Sequence, residues 1–126
     1  MILAREDRKL LTEIGFLGIS SNRPDEAAAI FALLCEEMPD NDAGFVGLAF
    51  ARMAQGRPDA ALDVLSRAPA SGVTLAMSVL ALAAAGAVPE ARDRLAELET
   101  LGPAEDLLAM ARAALDAPAS AEGLPR

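Results

Sequence analysis

The sequence predicts an all-α fold of stacked helical hairpins, and three observations carry that prediction. A phrase recurs: Asn22-Arg23-Pro24-Asp25-Glu26-Ala27-Ala28 returns 34 positions later as Gly56-Arg57-Pro58-Asp59-Ala60-Ala61-Leu62. A third version, Gly86-Ala87-Val88-Pro89-Glu90-Ala91-Arg92, follows after 30 more. Alanine and leucine dominate, aromatic residues make up 3%, and Trp and Tyr are absent, a composition that favours helix over strand. Between the recurring turns the apolar residues keep a helical period. A repeat of this length is that of a helical hairpin, whose core forms between neighbours and leaves one long face free for binding. The expectation is three hairpins and a C-terminal capping helix in a single domain over residues 1–117.

Over residues 3–20, Leu3, Leu10, Leu11, Ile14, Phe16 and Leu17 supply the apolar positions, with Arg5, Glu6, Arg8 and Lys9 on the wet side. Ser20-Ser21-Asn22 ends this first helix. Pro24 opens the second, where its missing N–H is harmless, and Asp25 and Glu26 complement the positive end of the helix dipole. That helix reaches about residue 38. Pro39-Asp40-Asn41-Asp42 then breaks the chain and offers Asn or Asp as an N-cap for a third helix over residues 43–54. Gly56 turns it, Pro58 and Asp59 open a fourth that ends near residue 68, and Pro69-Ala70-Ser71-Gly72 is the next loop. A third pair covers residues 73–85 and 89–101 and is closed by Gly102-Pro103. Residues 104–117 form an amphipathic cap, and 118–126 carry small and polar residues expected to be a disordered tail. The repeats therefore fall at about 8–41, 42–71 and 72–105.

Composition excludes several functions. The net charge is −8 and no basic stripe interrupts it, so nucleic acid and anionic membranes are not expected partners. Residues 68–89 carry no charge, but their helical part, about 20 Å long, falls short of a bilayer core of about 30 Å. The first residues lack the apolar run of a secretory signal, and the one cysteine, Cys35, can form no internal disulfide; both fit a cytoplasmic protein. There is no histidine, so the commonest general base and metal ligand is missing. Cys35 lacks a partner to activate it and reads as a small core residue. Asp40-Asn41-Asp42 is no calcium loop: Phe45 stands where such a loop needs glycine and Ala51 where it needs glutamate. No enzymatic activity, cofactor or metal is expected.

The residues resemble the tetratricopeptide repeat family. Its first-helix series is matched by Leu11, Ile14, Gly15 and Gly18, then Phe45, Leu48, Ala49 and Arg52, then Leu75, Ser78, Val79 and Leu82. Its second-helix series is matched by Ala27, Phe31, Leu34 and Pro39, then Ala61, Leu65 and Ala68, then Ala91, Leu95, Leu98 and Pro103. The second unit lacks its closing proline, and Ser78 stands where a large apolar residue is usual. The resemblance implies a right-handed α-solenoid whose first helices line a concave groove. The residues one step past the core series, Thr12, Phe16, Ile19, Val46, Phe50, Met53, Ala76 and Leu80, would face that groove, joined by Met77. Phe16, Phe50 and Leu80 are the expected anchors, and Met53 and Met77 suit an adaptable surface. These residues admit three readings: a groove for an amphipathic helix, ordinary core, or a self-association face. Recognition of a free C-terminal carboxylate is not expected, because only Lys9 occupies a matching place.

Small acidic proteins of about three such repeats also resemble the cytoplasmic chaperones of bacterial type III secretion, those that shield the needle subunit and, more loosely, those that hold translocators. That likeness implies a helical, polymerisation-prone protein client, a second small helper chaperone, and self-association when the client is absent. The alternative is an interaction scaffold or regulatory module unrelated to secretion.

Overall fold

The computed structural model describes residues 5–103 and 105–116; the expected tail at 118–126 lies outside them. The described residues form an all-α helical repeat of seven helices with no strand: α1 (Arg5–Ser20), α2 (Pro24–Glu37), α3 (Ala43–Ala54), α4 (Pro58–Ser66), α5 (Gly72–Ala84), α6 (Val88–Thr100) and α7 (Glu105–Asp116). The α4 helix stops short of residue 68 because its last turn tightens: the Arg67 and Ala68 N–H groups donate to Val64 and Leu65 carbonyls, three residues back. The chain forms two compact units, Met1–Ala70 and Ser71–Arg126.

The recurring phrase is one hydrogen-bonded motif made three times. Asn22, Gly56 and Gly86 all have left-handed backbone, at φ 63°, 75° and 83°. In each turn the next residue's N–H reaches back five positions: Arg23 to Gly18 at 2.7 Å, Arg57 to Arg52 at 2.9 Å, Ala87 to Leu82 at 2.9 Å. The left-handed residue itself donates three positions back, Asn22 to Ile19, Gly56 to Met53 and Gly86 to Ala83. This pairing satisfies carbonyls that a helix end would otherwise leave open. Proline in the first turn of the following helix then starts the return.

In the first unit α1 pairs with α2, α3 with α4, and α3 packs on α2 and α1. Because α3 is covered by three helices, every residue from Gly44 to Ala49 is buried. Its apolar residues on more than one face are therefore largely a core requirement, with Phe45, Val46 and Leu48 each no more than 8% exposed. Phe31 and Leu34 of α2 are fully buried. The Asn41 side chain accepts a 2.8 Å hydrogen bond from the Ala43 N–H at the start of α3.

One expectation for α1 is overturned. The helical period sets Leu10, Ile14 and Leu17 opposite the wet side, yet they are 53%, 42% and 62% exposed. Among the described residues of this unit α1 packs on α2 and α3, and it does so around Gly15, which is buried, flanked by half-buried Leu11 and Gly18.

The second unit is a three-helix cluster in which α7 packs on both α5 and α6. Ala76, Val79, Ala91, Leu98, Leu108 and Ala111 form its centre. A reciprocal cap opens α5: Ser71 Oγ accepts from the Thr74 N–H at 3.1 Å, and Thr74 Oγ1 accepts from the Ser71 N–H at 3.0 Å. Ser78 satisfies its half-buried hydroxyl by donating to the Thr74 carbonyl at 2.9 Å.

Candidate protein-binding face

Three of the chain's four phenylalanines meet in the first unit. The Phe31 ring lies at the bottom, fully buried beside Gly15 and Gly47, where any side chain would collide with it. Phe16 of α1 stacks edge-on against Phe31, centroids 4.8 Å apart, and against Phe50 of α3, centroids 6.0 Å apart. Such edge-to-face pairs favour a defined ring orientation. Phe16 is nevertheless 38% exposed, so one side of its ring is held by the core and the other is open. Ile19 follows Phe16 by three positions and Met53 follows Phe50 by three, which places each pair on one helix face; Ile19, Phe50 and Met53 are all half-buried. Thr12, one turn before Phe16, is half-buried too and donates its hydroxyl to the Arg8 carbonyl at 2.8 Å. The result is an apolar face of Phe16, Ile19, Phe50 and Met53, with little hydrogen-bonding capacity.

A polar chain ties α2 to the end of α3 beside Met53. Gln55 donates its side-chain amide to Asp25 at 2.7 Å and accepts from Arg52 at 3.0 Å.

Three expected groove residues are corrected. Val46 is 8% exposed, and Ala76 and Met77 are wholly buried, so none presents a surface. Val46 is lost to the enclosure of α3, and Ala76 to the α5–α6–α7 cluster. Leu80 is half-buried and is not among the residues packed on that cluster. On α1 the exposed residues that sequence reading missed are Leu10, Ile14 and Leu17, which the helical period alone cannot separate from a buried stripe.

Cys35 is half-buried, and burial pushes its thiol up to about 11 from an ordinary value of 9.0, which the nearby Arg67 charge only partly offsets. A thiol so protonated is a poor nucleophile at neutral pH. Among the described residues no group of three His, Cys, Asp or Glu could hold a metal ion, and no helix is long and apolar enough to cross a membrane.

No curated protein and no solved structure matches the chain. The family model described as tetratricopeptide repeat matches residues 19–76, from the end of α1 into α5.

Proposed function

We propose that this protein is a cytoplasmic chaperone or adaptor that receives an amphipathic helix of a protein client on the Phe16–Phe50 face. The carrying observation is Phe16, fixed on one side by two aromatic contacts yet 38% exposed on the other. A ring already held in place loses little freedom when a partner covers it, which favours binding. Burying a large apolar side chain contributes roughly 1.5–3 kcal/mol, so a client helix presenting a few apolar residues has enough driving force. Ile19, Phe50 and Met53 complete the face, and the thioether of Met53 can adapt to clients of different shape.

The resemblance to type III secretion chaperones extends this reading: the client would be a needle or translocator subunit, kept from premature polymerisation and shared with a small helper chaperone. The second reading is a scaffold or regulatory module, which the tetratricopeptide match favours equally.

The test is affinity capture from the native cytoplasm, repeated with Phe50→Asp and Met53→Glu. Recovery of one small helical exported subunit, lost in both variants while the helical circular dichroism signal persists, supports the chaperone. Recovery of a folded, non-exported partner supports the scaffold. Loss of helicity in both variants would make the face core and reject the site.

A further inference from the structure

The outer face of α1 is a second surface, separate in chemistry from the aromatic one. Leu10, Ile14 and Leu17 follow one another at four and three positions, so they form a single stripe, and all three are exposed at 53%, 42% and 62%. Charge is segregated around the stripe. At 3.6 residues per turn, Glu6, Asp7 and Glu13 lie within about 70° of its centre, whereas Arg5, Arg8 and Lys9 lie more than about 100° away. The three carboxylate residues are exposed, and among the described residues the first unit has ion pairs between Arg23 and Glu26 and between Arg67 and Asp63.

We propose that this stripe docks an amphipathic helix whose apolar seam is bordered by lysine or arginine. The seam would cover Leu10, Ile14 and Leu17, and its cations would meet Glu6, Asp7 and Glu13. The same border argues against a second copy of the chain. A two-fold pairing sets a patch against itself, so the carboxylates of both copies would converge and repel, in a protein that already carries −8.

The probe is a fluorescein-labelled peptide of three heptads with leucine at a and d and lysine at e and g, titrated by anisotropy against the full chain. Binding should weaken at least about tenfold in the Leu10→Ser/Leu17→Ser variant. It should also weaken in Glu6→Gln/Glu13→Gln, by a margin that shrinks as salt is added. Both variants alter exposed side chains and should keep the helical circular dichroism signal. Equal binding of a scrambled peptide of the same composition would overturn the proposal. So would a peptide-free dimer that becomes monomeric in Leu10→Ser/Leu17→Ser, because that result assigns the stripe to a second copy.

Discussion

The ring of Phe31 on α2 fills the space that a β-carbon on Gly47 of α3 would need. The same ring bars a side chain from Gly15 on α1, where a β-carbon would stand 2.6 Å from Cζ. Two glycines thus let three helices approach one fully buried aromatic. Gly47→Ala would gain about 0.5–1 kcal/mol of helix propensity but force overpacking that typically costs about 1–3 kcal/mol. Since Phe31 is wholly enclosed and has no free direction to yield, overpacking wins, and a net loss of about 1–2 kcal/mol is expected in urea denaturation. In a Phe31→Leu background the same substitution should be far less harmful, since the smaller side chain vacates the space. Additive effects of the two changes would disprove the coupling.

That relationship also shows what could be read from the sequence. The turns were legible, because Asn22, Gly56 and Gly86 and the prolines after them act locally, through backbone conformation and a missing N–H. The aromatic cluster was half legible: Phe16 and Phe50 stood out as candidates, but their meeting with Phe31 depends on which helices touch. Burial was least legible. Val46 and Met77 look like any apolar residue on a helix face, and Leu10, Ile14 and Leu17 keep the same period as a buried stripe. The difference lies in which neighbouring helix is present, and that is a property of packing, not of spacing. The Ser71–Thr74 cap is hard to read from the sequence because threonine stands where glutamate or glutamine is the usual partner.

Each repeated turn places one residue in the left-handed region, with open space around Gly56 and Gly86. Sterics therefore raise no objection to a side chain there, but backbone conformation does. Alanine at φ 75° or 83° carries a penalty of roughly 1–2 kcal/mol, against which a stiffer unfolded chain returns about 0.4–1 kcal/mol. Gly56→Ala and Gly86→Ala should each lower stability by about 1 kcal/mol. Asn22 already occupies this region with a side chain, so Asn22→Gly should be neutral or mildly stabilising. Thermal unfolding of the three variants checks the pattern, and a destabilised Asn22→Gly would contradict it.

The start of α5 depends on one short reciprocal cap. Ser71 satisfies the Thr74 N–H and Thr74 satisfies the Ser71 N–H. Ser71→Ala removes the first bond and leaves a helix N-terminus one acceptor short, with an expected loss of about 1 kcal/mol. Ser71→Asp should retain most of the stability, since a carboxylate can accept the same bond and complements the helix dipole. Chemical denaturation of both variants distinguishes lost capping from lost packing: if Asp is as harmful as Ala, capping is not the cause.

Cys35 offers a prediction with a defined pH window. Burial holds the thiol protonated up to about 11, against an ordinary value of 9.0. In the unfolded chain the thiol ionises near its ordinary value, so between these two limits the folded protein binds more proton than the unfolded one. The sign follows: the stability linked to Cys35 is fully present below the ordinary value and falls as pH rises through about 11. At pH 8 the folded thiolate fraction should be about a hundredfold below that of an exposed cysteine. Reaction of the native protein with a chromogenic disulfide reagent should accordingly be slow, and should accelerate by a similar factor in urea. Rapid modification of the folded chain at pH 8, with helicity intact, would show that the Cys35 sulfur is neither shielded nor held in its protonated form.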